Sequence, residues 1–340
     1  MDDVARWPAQ DRADLFASAA GQIGLTALLV EKDFWVCWML RRAYEATGRR
    51  LLFKGGTSLS KVHRAIRRFS EDVDLSFDRR EFGFTGSRDP ATPGLSGKKQ
   101  KRLLDEMREV GKRFVQGDFR KAIEDRIAAA GLTGSCKLAM DPSDHDGQSL
   151  SFEYPGVLSA GTYAGTYVRP AVVLELGMRS HLDDAEPGAV EPFAAETHGA
   201  AFQQSRTRVL AQPLSRTFWE KVTALHEKAV GGFGDKDPKR FSRHHADVVA
   251  LATGTSGDVF LAGVDLLVEV ARHKAVFFRV GGAPYDTARP GTLRLRPLDA
   301  DVTSLRRDYA SMAEMFFDDP MPFDEMLRRL KELEERINGA

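Results

Sequence analysis

The chain has 340 residues, 42% hydrophobic and 29% charged, with 49 basic residues balancing 49 acidic ones. That predicts roughly two domains, excludes wholesale disorder, and leaves no global field drawing the protein to nucleic acid or membrane. Apolar runs short of a bilayer span, a polar start (MDDVARWPAQDR) and only two cysteines, Cys37 and Cys136, lead us to expect a cytoplasmic protein without membrane contact, disulfide framework or cysteine-based zinc site.

Residues 11–46 read as helical, with apolar runs at Ile23–Val30 and Phe34–Leu40. Leu51-Leu52-Phe53, closed by Gly55-Gly56, predicts a brief buried strand entering a tight turn. Over Ser58–Arg68, Leu59, Val62 and Ile66 recur at helical spacing and predict a helix with cations on its other faces. The period then changes. Val73, Leu75 and Phe77 alternate with Asp72, Asp74 and Ser76, as in a strand with one apolar and one polar face.

Residues 83–97 are rich in Gly, Pro, Ser and Thr and read as a mobile loop. A charged amphipathic helix follows over about 102–129, then strand-like runs near 134–140, 148–154 and 166–178. Past 213 the pattern is helical, with helices over about 215–230 and 241–252 and a final stripe from Phe323 to Ile337. A mixed α/β domain over 1–210 and a helical domain over 211–340 are expected. Three basic clusters, Lys61–Arg68, Lys98–Arg102 and Arg240–His245, read singly as solvated faces and together as candidates for a polyanion path.

The chemistry concentrates in residues 53–77. Asp72 and Asp74, two apart on a strand, place their carboxylates on one face with Cα atoms ~6.5 Å apart. Two like charges that close favour a bound cation, Mg²⁺ above all, although an exposed edge strand explains the same triplet. Gly55 and Gly56 let backbone amides approach an anion, and Thr57 and Ser58 add hydroxyls at a helix start. A phosphate cradle beside a metal-binding pair is what a nucleoside triphosphate site requires. The segment is not a Walker A loop, because GxxxxGK[ST] is missing. In Ala171–Met178, Glu175 is the only charge in an apolar strand; it is expected to face a metal or partner, or to pair with Arg169 or Arg179. Lys221, at the edge of an apolar helical stripe, reads either as a phosphate ligand oriented by Asp247 or as half of a structural salt bridge with it. His244 and His245 stay open between surface residues, metal ligands and phosphate contacts.

GGTSLSK followed by RFSEDVDL resembles the nucleotidyltransferase toxins of the AbiEii/AbiGii family, the toxin half of type IV abortive-infection toxin–antitoxin systems. EKDFWVCWML at 31–40, TFWEKVTALHE at 217–227, RFSRHHADVVAL at 240–251 and the DYASMAEMFF…PFDEML tail match in order, so the resemblance covers nearly the whole chain. It implies an α+β fold, a DNA polymerase β-like nucleotidyltransferase mixed sheet with flanking helices and a helical C-terminal half completing the active site. The implied activity is phage-defence nucleotide transfer from an NTP to an RNA acceptor, for some relatives the 3′ end of tRNA, with Mg²⁺ (Mn²⁺ as a possible substitute) and a cognate antitoxin encoded alongside. Carried over residue by residue, Gly55, Gly56 and Ser58 sit in the nucleotide-binding motif, Asp72 and Asp74 fill the metal-binding DxD, and Lys221 and Asp247 match the later lysine and aspartate. Glu175 is the candidate third metal ligand. Ala250 departs from the pattern, standing where many members carry a second carboxylate. The competing functions are a catalytically silent NTP-binding module and a metal-dependent nuclease.

Overall fold

Gly24 adopts a left-handed conformation (φ +71°) and ends a helix that would otherwise continue through the apolar N-terminal stretch. The Thr26 hydroxyl then accepts the Leu29 N–H and starts the next helix. In the computed structural model, which describes residues 1–164, 168–180, 182–278 and 284–339, the first helices are therefore α1 (Asp2–Ala5), α2 (Ala9–Ile23) and α3 (Ala27–Glu45). The chain continues through β1 (Leu51–Lys54), α4 (Gly55–Lys61), β2 (Val73–Phe77), α5 (Gly97–Phe114), α6 (Arg120–Ala129), β3 (Lys137–Met140), β4 (Ser149–Glu153), α7 (Ala160–Tyr163), β5 (Ala171–Gly177), β6 (Glu186–Val190), α8 (Phe193–Thr197) and β7 (Thr207–Ala211). The described strands form one mixed sheet in the order β3-β4-β5-β2-β1-β7-β6, with β2–β5 and β1–β7 parallel and the other pairs antiparallel. This is the expected α+β class.

Helix α3 is buried without a break from Leu28 to Leu40, and Phe34 through Leu40, all apolar, are fully enclosed. Trp35 stacks on Tyr154 and Trp38 on Phe152, which fixes α3 against the strand β4 region. The two faces of the sheet follow from its register. Leu51, Phe53, Val73, Leu75, Phe77, Leu174 and Leu176 share the apolar face; Lys54, Asp74, Ser76, Glu175 and Gly177 share the other.

The chain divides into two compact units, Met1–His63 with Phe69–Gln212, and Arg64–Arg68 with Pro213–Ala340. The second unit contains α9 (Leu214–Gly231), α10 (Ser242–Thr253), α11 (Gly257–Ala262), α12 (Asp265–Phe277), α13 (Asp299–Ser311) and α14 (Phe323–Asn338). The α14 stripe of Phe323, Met326, Leu330, Leu333 and Ile337 is buried.

Several local expectations change. Helix α4 stops at Lys61, so no helix spans Ser58–Arg68; Arg64 takes a left-handed conformation (φ +51°), and Ile66 and Arg68 belong to the core of the second unit. Their spacing imitates a helical stripe although they face another partner. Residues 83–97 are irregular but tied down, with Phe84 fully buried, Asp89 held by Arg79, and the Gln100 amide on the Pro90 carbonyl. Strands β6 and β7 escape the sequence patterns, β6 because Pro187 and Gly188 interrupt it, as a sheet edge allows. Residues 166–167 of the third expected strand run lie outside the described residues. No single described helix is long and apolar enough to cross a membrane; α2 and α3 qualify only as a pair, and that pair is bent by 109°. Cys37 and Cys136 are both free.

Candidate active site

Strand β1 ends in a turn that only glycine fits. Gly55 has φ +75°, and a Cβ there would lie 1.8 Å from Asp74 Oδ2. The backbone of the turn is thus in direct contact with the Asp74 carboxylate. Gly56, Thr57 and Ser58 follow in the first turn of α4 and are buried. The Ser58 hydroxyl has no hydrogen-bond partner among the described residues. Thr57 serves differently from the expected nucleotide contact: its hydroxyl donates to the Ser70 carbonyl at 3.2 Å and to the Asp72 carbonyl. It ties the glycine turn to the approach of β2. His63 Nε2 lies 2.9 Å from the Gln212 carbonyl oxygen and anchors the exit of α4.

Asp74 and Glu175 are 101 positions apart in the chain but direct neighbours in register on parallel strands, both on the polar face. On the other side, Lys54 registers opposite Asp74. Cross-strand neighbours stand about 4.5–5.5 Å apart at Cβ, so Lys54 offsets part of the repulsion between the two acids. Sequence reasoning passed over Lys54; its position immediately before the glycine pair was the available signal. Asp72 stands two positions ahead of Asp74, just before β2 begins, and both aspartates are half-buried. Only the expected burial of Glu175 is corrected: it is exposed, whereas Val172, Leu174 and Leu176 of the same strand are buried.

These acids offer carboxylate oxygens alone, the donor type that Mg²⁺ takes in preference to nitrogen or sulfur. Gly55 lies directly against the Asp74 carboxylate, where a Cβ would collide with it. Among the described residues, however, no group of three or more His, Cys, Asp or Glu side chains has converged to hold a metal ion. The donor chemistry fits Mg²⁺.

Within the second unit, Asp247 of α10 is 1% exposed and accepts two hydrogen bonds from the Arg68 guanidinium, each 2.8 Å. Its Oδ2 also lies 2.9 Å from the Lys221 ammonium of α9. Burial alone would raise the Asp247 pKa, but the Arg68 and Lys221 charges and hydrogen bonds overcome it and hold the carboxyl well below its ordinary value. Lys221 is lowered, by burial first and then by the Arg68 charge, against the pull of Asp247. Its second contact is His244 Nδ1 at 3.1 Å, which accepts from the ammonium. Burial and the nearby Lys221 and Arg243 charges push His244 well below its ordinary pKa, so the ring is neutral. His245 is buried and pushed down by burial to about 3. Ala250 lines a cavity whose wall is part apolar (Ile66, Val249, Tyr309, Met326) and part charged (Arg67, Arg68, Asp318, Asp319).

Arg68 was missed as a site residue. It reads in the sequence as one member of a solvated basic cluster, yet it is 2% exposed. Others of that cluster are also engaged: Lys61 pairs with buried Asp33 at 2.8 Å, and Arg67 pairs with Asp318. The Lys98–Arg102 cluster at the start of α5 does lie at the surface, with Lys101 on Asp105 at 2.6 Å. In the third cluster the Arg240 backbone N–H is held by Asp308, and His245 is enclosed.

A family model described as nucleotidyl transferase AbiEii toxin, type IV toxin–antitoxin system, matches residues 38–329. Among solved structures, the nucleotidyltransferase toxin MenT4 of Mycobacterium tuberculosis H37Rv is similar at 16% identity over 95% of this chain and 97% of that one, a shallow likeness with a TM-score of 0.42. No curated protein matches the chain. The matched span takes in the glycine turn, both aspartates of the DxD, Glu175, Lys221 and Asp247. The chain belongs to the AbiEii family of nucleotidyltransferase toxins, the toxin components of type IV toxin–antitoxin systems.

Proposed function

We propose that this nucleotidyltransferase toxin moves a nucleotide from an NTP to the 3′ end of an RNA acceptor, tRNA, in a Mg²⁺-dependent reaction in the cytoplasm, as part of phage defence restrained by its antitoxin. The observation that carries the reading is the contact between Gly55 and Asp74, which sets an amide-lined turn against a carboxylate that is itself in register with Glu175. Triphosphate and divalent cation are the ligands that such a pair of features suits.

Asp72 and Asp74 would hold Mg²⁺, with Glu175 as third ligand. When bound, two such ions would supply Lewis acidity, lowering the pKa of the acceptor hydroxyl and neutralising the pyrophosphate. The remaining work falls to the chain. The Gly55–Gly56 amides and the Ser58 hydroxyl bind and orient the phosphates. The acceptor hydroxyl oxygen forms a bond to the α-phosphorus as the bond to the bridging oxygen breaks. Its proton passes to the Asp72 or Glu175 carboxylate, and pyrophosphate leaves. Asp247 orients Lys221, whose ammonium has no third contact among the described residues and retains an N–H for a phosphate oxygen. The surface lysines Lys98, Lys99 and Lys101 bind acceptor phosphates.

The test is incubation with each labelled NTP and total RNA, for the parent and for Asp72→Asn. Label on RNA with the parent and none with the variant is expected. Nucleotide binding without transfer would replace the reading with a silent module, and shortened RNA would replace it with a nuclease.

A further inference from the structure

Three consecutive charged residues of α3, Glu31, Lys32 and Asp33, are at most 2% exposed. Successive helical residues point about 100° apart, so each meets a different neighbour. Glu31 accepts the Val157 N–H at 2.8 Å and the Tyr163 hydroxyl. Lys32 donates to the carbonyls of Arg169 (2.8 Å) and Ala171 and pairs with Glu71 at 3.1 Å. Asp33 pairs with Lys61 at 2.8 Å and accepts the Phe193 N–H at 2.6 Å. Burying charges costs about as much as their attraction returns, and apolar residues of equal volume would hold a helix at least as well. A row of three needs another reason.

The partners supply it. Glu71 immediately precedes Asp72, and Ala171 opens the strand that carries Glu175. Lys61 closes α4, the short helix that begins at Gly55. Thr57 then joins α4 to the Asp72 backbone. One enclosed helix therefore grips both halves of the site, through Lys32 on the acidic side and Asp33 on the glycine side.

We propose that Lys32 and Asp33 are positioning residues, which through Glu71 and Lys61 hold Asp72 and the glycine turn in one fixed arrangement for nucleotide transfer. This rests on the reading of Asp72 and the turn as the nucleotide site. Charge is used here because an ion pair hydrogen-bonded to the backbone fixes direction as well as distance, which apolar packing does not.

The experiment uses the full chain and three variants. Glu71→Gln keeps volume and an acceptor for Lys32; Asp33→Asn/Lys61→Met removes the second pair while preserving the Phe193 hydrogen bond; Lys61→Arg retains that pair. Melting temperature, kcat, KM for NTP and equilibrium binding of a fluorescent NTP are measured for each. Glu71→Gln should lower kcat about 10- to 100-fold with KM steady, since displacement by about 1 Å is enough. Asp33→Asn/Lys61→Met should weaken NTP binding about 10-fold with a smaller change in kcat. Lys61→Arg should recover most of that affinity. Parent-like kinetics in the first two, or kcat and affinity falling together with the folded fraction, would reduce the row to a structural role and overturn the proposal. If a variant does not fold, Lys61→Arg decides: a folded Lys61→Arg protein with no NTP affinity overturns it. Asp72→Asn separates the two readings. An active Asp72→Asn protein removes the site reading and this proposal with it, whereas an inactive one beside a fully active Glu71→Gln protein removes the positioning role alone.

Discussion

Replacing Asp247 with Asn takes one negative charge from a pocket that encloses two cations. The carboxylate is 1% exposed, holds Arg68 through two 2.8 Å hydrogen bonds and Lys221 at 2.9 Å, and both cations are themselves buried. An amide cannot serve both, and Arg68 is left enclosed beside a like charge. Removing one partner of a buried pair costs about 3–5 kcal/mol, and two orphaned cations place Asp247→Asn at the upper end. At about 2.1 cal/mol/K per residue, a unit of roughly 130 residues loses about 4 °C per kcal/mol, so the variant should melt about 16–20 °C below the parent. Lys221→Met leaves the two-point Arg68 pair intact and should cost about 1–3 kcal/mol. Calorimetry of the parent, both single alanine variants and Lys221→Ala/Asp247→Ala, with transfer measured in parallel, gives the coupling in stability and in turnover separately. Both couplings are expected. An Asp247→Asn protein melting within about 3 °C of the parent would refute the reasoning, because the charges would then not be what joins α9, α10 and the Arg64–Arg68 segment.

Gly55→Ala should abolish transfer and lower stability by about 1–2 kcal/mol from backbone strain alone, with more from the displaced Asp74; Asp74→Ala in the same chain should recover only the part due to the displaced carboxylate, and no activity, and an active Gly55→Ala protein would show that the turn is not tight. Neutralising Lys98, Lys99 and Lys101 together should weaken RNA binding and flatten its salt dependence while sparing NTP affinity; an unchanged salt slope in a filter-binding assay removes this surface from the acceptor path. His245, pushed from the ordinary 6.5 down to about 3 by burial, stays neutral while the unfolded chain takes up a proton. Its contribution is therefore complete above pH 6.5 and declines as pH falls toward 3, by up to about 5 kcal/mol, so His245→Phe should show a shallower acid limb in a stability–pH series, and equal limbs would contradict its buried neutral state.

What the sequence determined by itself is what short range determines. The alternation over residues 72–77, the Gly55-Gly56 break and the helical spacing past 213 are properties of a few neighbouring residues, and they recur as β2, the turn before α4 and the helices α9 to α14. The motif spacing in 53–77 carried the family for the same reason. Tertiary structure decided where charges go. Arg68 and Asp247 are 179 positions apart, and nothing near Arg68 distinguishes a buried ligand from a solvated cation. Leu59, Val62 and Ile66 keep helical spacing, yet the chain leaves the helix at Lys61 because Ile66 and Arg68 gain more by burial in the second unit. Glu175 stands in an apolar run but faces outward, since only one side of β5 is covered, and its meeting with Asp74 depends on a strand register set by the whole sheet. Periodicity states which residues share a face; it does not state what that face will meet, because contact across a sheet or between helices depends on partners that local pattern does not name.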